Sequence, residues 1–152
     1  MLNFLLKVII ADIKKAGEGA DMNVNCARKL LKIFSIPGEP FEFGCKETEA
    51  RKFARLAREN YPEQNVCIVS SWVIVDFKSN KRRAPPCETR LYAGCVELDF
   101  ASRFAHGRRI LTTPMITIST PPLFITSNTA YILVGEGSRK AINARKICAG
   151  TF

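Results

Sequence analysis

A chain of 152 residues, 47% of them hydrophobic, can bury one sizeable core and is too short for two ordinary domains. Its formal net charge of +9 is unevenly spread: 11 Lys/Arg stand against 9 Asp/Glu through Gln64, and 12 against 5 from Asn65 onward. Such a bias favours an acidic partner, nucleic acid or an acidic protein surface, because a positive field speeds encounter without specifying what is met; plain solubility is the competing reading.

The first stretch, MLNFLLKVIIADIKK, places Leu2, Leu5, Leu6, Ile9 and Ile13 on one helical face, which predicts an amphipathic helix. Lys7 interrupts the apolar run and Asp12 follows it, so neither a signal peptide nor a bilayer span is expected. With few cations on the polar face, a membrane surface is disfavoured as well. The apolar face packs on its own body or on a second copy, which makes a homodimer through this helix one expected partnership. Residues 1–23 are read as this helix with its breaker cluster GEGADMN, and residues 24–152 as a single α+β domain, helical over 24–62 and β-rich over 65–142.

Helical spacing resumes through Val24, Ala27, Leu31 and Phe34. The Pro/Gly-punctuated IPGEPFEFGCK then predicts an irregular connection. In CKETEARKFARLAREN, Ala50, Phe53, Ala54 and Ala57 fall at helical spacing, with acids early, Arg58 late and Pro62 as the stop, the orientation that suits a helix dipole. After Asn65 the period changes. NVCIVSSWVIVDF is β-branched and predicts a largely buried strand. In ETRLYAGCVELDF the apolar residues move from the Leu91, Ala93, Cys95 parity to Val96, Leu98 and Phe100, which predicts a bulge near Gly94 and an outward Glu97 and Asp99. Pro114, Pro121 and Pro122 belong at strand edges or starts, and Ser127-Asn128 predicts a tight hairpin between LFIT and TAYILV, Asn tolerating a positive φ there. The expected architecture is N-terminal helices followed by a strongly bent antiparallel sheet or small SH3-like barrel of about four to five strands.

The segments SWVIVDF, RLYAGCVELDFASRFAHGRRILTTP and LFITSNTAYILVGEGSRKAI resemble a family of small uncharacterised bacterial proteins. That family carries a Y-A-x-x-V-x-x-D-S-x-x-R-F-x-x-G segment followed by an L-F-x-T-x-N-T-x-Y-(V/I)-L-x-G-x-G-x-R-K ending. The resemblance spans roughly residues 26–142. Phe100 stands in place of the pattern's serine, Arg108, Arg109 and Ile110 replace the residues usual after the RFxxG turn, and residues 1–15 have no counterpart. The resemblance implies one compact domain and supplies no mechanism.

Candidate sites are few. VGEGSRK matches neither phosphate-loop pattern and reads as a glycine turn that lets the chain leave a strand, with SRKAINARKI long enough for a short terminal helix. Arg139 and Lys140 remain as anion contacts. KSNKRR contributes Lys81, Arg82 and Arg83 on a loop, and RFAHGRR adds Arg103, Arg108 and Arg109 on a turn; convergence of these with Arg139 and Lys140 makes an electropositive rim. Trp72, Tyr92, Phe100, Phe124 and Tyr131 read as core residues, with the two tyrosine hydroxyls kept near the surface.

Cys26, Cys45, Cys67, Cys87, Cys95 and Cys148 form no CxxC pair, so free thiols in a reducing cytosol are expected rather than disulfides. Cys87, Cys95 and His106 lack the close ligand spacing of a zinc knuckle, so no metal and no cofactor is expected. His106, the one imidazole, has no nucleophile motif beside it, and an enzyme on a phosphorylated substrate is the least favoured function. A non-enzymatic cytoplasmic binding protein is the first reading. A mobile-element or prophage-encoded inhibitor acting by protein contact is the alternative.

Overall fold

The computed structural model describes residues 32–78, 88–118 and 120–142. The expected helix and linker of residues 1–23, most of the helical stretch from Val24, and Lys81, Arg82, Arg83, Cys26, Cys87 and Cys148 lie outside the described residues. Residues 32–35 are helical, and Phe34 is buried edge-on to Phe77 at 5.6 Å between ring centroids.

In chain order the elements are β1 (Glu39–Pro40), a 3-10 turn (Glu47–Glu49), α1 (Ala50–Asn60), β2 (Asn65–Phe77), β3 (Glu88–Asp99), β4 (Ile110–Leu111), β5 (Met115–Thr117), β6 (Leu123–Thr126), β7 (Thr129–Val134) and β8 (Ser138–Ile142). Together they form an α+β protein, mostly strands, with the sheet curled into an open half-barrel. The α+β class and the strong bend are as the sequence predicts, but the described sheet has eight strands and is mixed rather than antiparallel. β3 lies antiparallel along one side of β2. Along the other side β2 is parallel first to β7 and then to β8. The β6–β7 hairpin forms where Ser127-Asn128 predicts it, held by Thr126 Oγ1, which accepts from Thr129 N at 3.2 Å, and without a positive φ at Asn128.

α1 buries Ala50, Ala54 and Ala57 against Val66, Ile68, Ile125, Ala130 and Ile132 on one face of the sheet. Methyl side chains let helix and sheet approach closely. The helix ends at Asn60, Tyr61 N donating to Ala57 O at 2.7 Å before Pro62. The sheet curls about a second cluster on the other face, with Cys67, Val69, Trp72, Ile74, Leu91, Val96, Phe124, Tyr131 and Leu133. Burial on both faces is why β2 and β7 read as continuous apolar runs instead of alternating ones.

A transverse kink produces the curl. On β2 the second cluster takes Cys67 and Val69, then Trp72 and Ile74, an odd step that moves the inward face to the other parity. Ser71 absorbs it with φ 52°, a left-handed conformation that disfavours any residue bearing a Cβ. On β3 the step falls between Ala93 and Val96, near Gly94 as predicted; a Cβ on Gly94 would lie 3.0 Å from Ser71 Cβ. The register itself slips at Glu97, since Ile68 pairs with Leu98 and Val69 with Val96. That extra residue turns Asp99 inward, to 6% exposure, against the outward position expected for it.

On the opposite side of β2, Ser70 pairs with Val134 and Val73 with Ser138, so Gly135, Glu136 and Gly137 fill a longer path than the β2 residues they face. VGEGSRK is therefore a break inside one strand line, not an exit from it, and its SRKAI part continues as β8 rather than as a helix. Trp72 is buried at this break, its Nε1 donating to Gly135 O at 3.2 Å and its ring resting where a Cβ on Gly137 would have to be. Phe41 and Phe43 meet the indole edge-on, each 6.5 Å away.

These two glycines serve different ends, and substitution separates them. Gly137→Ala drives a methyl into the Trp72 ring and is expected to lower stability by about 3 kcal/mol, the upper end for overpacking. Gly135→Ala meets open space at φ 76° and is expected to cost about 1 kcal/mol, the left-handed penalty alone. Denaturant midpoints of the two variants, in that order, check the assignment.

Candidate functional site

The structure divides the predicted cations by what they bind. Arg139, on β8, forks onto Asp76 of β2, with Nε 2.8 Å from Oδ2 and Nη2 3.1 Å from Oδ1. Thr89 Oγ1 donates to the same carboxylate at 2.6 Å. Burial acts to raise the Asp76 carboxyl, but the Arg139 and Thr89 hydrogen bonds outweigh it and hold the group below its ordinary value. The Arg139 guanidinium also lies 5.3 Å from the centroid of Phe41. Lys140 Nζ donates to Ile33 O and Ile36 O, closing the end of the helical turn at residues 32–35, and burial lowers its ammonium below the usual lysine range.

Arg103 stands at the other end of the sheet. Asp99, buried at the end of β3, accepts from the backbone N–H of Ala101, Arg103 and Phe104 and from the Arg103 guanidinium at 3.1 and 3.2 Å. Arg103 Nη1 then donates to Thr129 Oγ1 at 2.8 Å, tying the turn to the start of β7. Here too burial pushes the carboxyl up and the Arg103 hydrogen bonds more than reverse it. A carboxylate with this many donors rigidifies a turn that has no sheet pairing of its own.

These two groups do not meet. Asp99 pairs with Cys67 near the start of β2, whereas Arg139 grips Asp76 near its end. The nine intervening steps correspond to roughly 30 Å of strand. Arg139 and Lys140 thus lie apart from Arg103, Arg108 and Arg109, and the described cations do not form one rim.

A basic face that the loop-by-loop reading missed lies on α1. The spacing that buries Ala50, Ala54 and Ala57 exposes Arg51, Lys52, Arg55 and Arg58, with Glu59 as the helix's one acid. Arg58 lies 4.3 Å over the ring of Phe100, at the start of the turn after β3. Further along that turn Arg103 and Arg108 flank Phe104, at 5.0 and 5.7 Å, and Arg109 is exposed. The signal was present in EARKFARLAREN as an i, i+4, i+7 arginine spacing; summing charge through Gln64 concealed it, because the acids of that stretch sit elsewhere.

A cleft of about 1020 Å³ opens beside the kink, lined by Phe41, Phe43, Trp72, Gly135 and Gly137, and none of the five predicted cations among the described residues borders it. Gly135 N is spent on Cys45 O at 2.8 Å, so the glycine pair lacks the converging free N–H groups of a phosphate loop. Tyr131 is buried rather than near the surface, burial pushing its hydroxyl up to about 12, and burial likewise raises the Cys67 thiol to about 12. Tyr92 is buried as well, at 5% exposure. Among the described residues no helix is long and apolar enough to cross a membrane. Cys45, Cys67 and Cys95 are free thiols.

The fold and this surface define a small α+β protein with a curled half-barrel sheet and an arginine-bearing helix face. The chain belongs to the family described as domain of unknown function DUF6957, whose model matches residues 42–149. No curated protein matches the chain, and no solved structure does.

Both arginine-bound carboxylates make stability depend on acid in a defined direction. Their folded values lie below their ordinary ones, so the stabilisation is full above the unfolded carboxylate range near pH 4 and is lost as pH falls through the depressed folded values. Asp99→Asn is expected to destabilise at neutral pH by about 3 kcal/mol, as loss of a buried pair's charge does, and to flatten that acid decline. Urea unfolding from neutral pH downward, with wild type and variant in parallel, measures both.

Proposed function

We propose that this is a non-enzymatic binding protein that contacts an acidic macromolecule through the face built from α1 and the turn following β3. One observation carries the reading: Arg51, Lys52, Arg55 and Arg58 share the exposed side of α1, and Arg58 lies over the Phe100 ring at the start of the turn, which further along carries the Arg103–Phe104–Arg108 group with Phe104 packed on the opposite core cluster. Guanidinium groups suit planar, anionic partners, and arginines interleaved with aromatic rings are the composition that tracks a phosphate backbone while offering stacking surfaces to bases. Nucleic acid is therefore the favoured partner, with an acidic protein surface as the other member of the class.

In this reading Arg108 and Arg109 belong to the contact face, and Arg103 acts mainly by holding the turn. Arg139 and Lys140 are committed to Asp76 and to carbonyls of residues 33–36. The reading carries with it a bacterial, cytoplasmic setting.

Anisotropy of labelled single-stranded and duplex oligonucleotides across a salt series tests it. Arg51→Gln/Arg55→Gln/Arg58→Gln is expected to reduce the slope of log affinity against log salt by roughly 2–3, one phosphate contact each. Arg109→Gln should reduce it further by about 1. Absence of binding at low salt to both oligonucleotides and to poly-glutamate would sink the proposal; binding to poly-glutamate alone would assign the acidic-protein member of the class.

A further inference from the structure

The bulge in β3 has a chemical consequence beside α1, where Ser70 and Glu97 line a shallow cleft together with Arg51. Cys95 and Glu97 alternate along β3, and Ser70 of β2 pairs with Cys95. Because Glu97 is the extra residue of the bulge, it has no cross-strand mate, and its side chain is held by Ser70 instead, Oγ donating to Oε1 at 2.5 Å. The second carboxylate oxygen, Oε2, lies 3.9 Å from His106 Nδ1, the ring nitrogen that is itself 3.0 Å from the Glu97 backbone carbonyl and so holds the imidazole over this residue. The turn that carries His106 is pinned on both sides of it, Val96 N donating to Arg108 O and Gly107 N to Val96 O, each at 2.8 Å. Gly107 has φ 86°, a conformation that lets the chain fold back over β3. As a result the Cys95 Sγ, a Glu97 carboxylate oxygen and a His106 ring nitrogen all lie within 4.8 Å of one another.

We propose that Cys95, Glu97 and His106 form a metal site for a zinc-class divalent cation, bound by thiolate, carboxylate and imidazole with one coordination position open. The donor set is borderline-soft and matches zinc and its spectroscopic substitute cobalt, not calcium or magnesium. Zinc bond lengths of about 2.0–2.3 Å put tetrahedral ligands roughly 3.3–3.7 Å apart. Closing from the observed separations falls to His106, whose side chain is 72% exposed and moves without disturbing the core, at the expense of its Nδ1 contact with Glu97 O. Ser70 fills the outer-shell role that metal-bound carboxylates require, occupying one oxygen and orienting the other. The spacing rule for zinc knuckles overlooks such a site, because these ligands come from one strand and from a turn nine residues beyond Glu97. Three protein ligands and a vacant position are the pattern of a site that binds a further small ligand or water.

The test uses the full reduced chain titrated with Co²⁺ without oxygen, followed by displacement with Zn²⁺. A thiolate-to-cobalt charge-transfer band saturating at about one equivalent, with the d–d intensity of tetrahedral cobalt, is expected. Cys95→Ser should abolish the band, and His106→Ala should weaken affinity by at least about 100-fold, the upper limit for an outer-shell loss. Ser70→Ala should weaken it by about tenfold, and Cys87→Ser should leave it unchanged. His106 is exposed, so its variant keeps the fold, verified by circular dichroism, and decides the matter even if Cys95→Ser proves unstable. Absence of the band in wild type, its persistence in folded Cys95→Ser, or undiminished affinity in His106→Ala overturns the site.

Discussion

Burial of Trp72 at the sheet's kink is the constraint from which the rest of the architecture follows. An indole this size cannot enter a flat sheet already covered on its other face by α1. Room is made by crossing three strand lines with one defect: Gly94 on β3, Ser71 in a left-handed conformation on β2, and Gly135 to Gly137 between β7 and β8. Each defect alone destabilises its strand. Aligned, they turn the inward face over at one level and wrap the sheet about the ring, so their cost is offset by burial of the largest side chain in the core, worth a few kcal/mol. The indole N–H satisfies Gly135 O, a carbonyl that the broken ladder would otherwise leave without a strand partner.

Electrostatics follow the same geometry. A net charge of +9 suggests a surface crowded with cations, yet Arg139 and Arg103 are bound to half-buried Asp76 and buried Asp99, and Lys140 to backbone carbonyls. These bonds close the two ends of β2, where the sheet has edges and turns instead of apolar packing. What remains for a partner is decided by secondary structure more than by total charge. α1 turns its alanines to the sheet and its arginines to solvent, and Arg58 joins that face to the start of the turn after β3 by lying over Phe100.

Elements with a strong local period were legible: the alanine spacing of α1, the apolar run of β2 and the Ser-Asn hairpin all form where the sequence places them. The parallel pairing of β2 with β7 and β8 was not, because parallel neighbours normally announce themselves by a crossover helix and here the crossover consists of β3 to β6. One residue of bulge accounts for most of the misread site. Strict alternation carries Glu97 and Asp99 outward together; the slip at Glu97 sends Asp99 into the core to cap the turn and leaves Glu97 facing Ser70 and His106. No periodicity reports such a slip, since it is set by the fit of β3 against an already kinked β2. The role of Arg139 was illegible for a simpler reason: its acid lies 63 residues away in the chain.

The turn from Phe100 to Arg109 thereby serves two surfaces at once. Loops placed by a rigid scaffold are where binding side chains concentrate, but a ten-residue excursion holds its side chains in register only if its backbone donors are satisfied. Asp99 does this at the entry by accepting from three successive-turn N–H groups, and Val96 does it at the exit by bonding Gly107 and Arg108. Between these anchors half-buried Arg103 and Arg108 flank Phe104, which packs on the Trp72 cluster, while exposed His106 folds back over β3 toward Cys95 and Glu97. Because the anchors grip backbone and, at Asp99, the Arg103 side chain as well, substitution of His106 or Arg109 removes neither of them, whereas loss of Asp99 releases the turn. The two proposed sites are for that reason separable by mutation, although they share one short segment and one carboxylate that holds it.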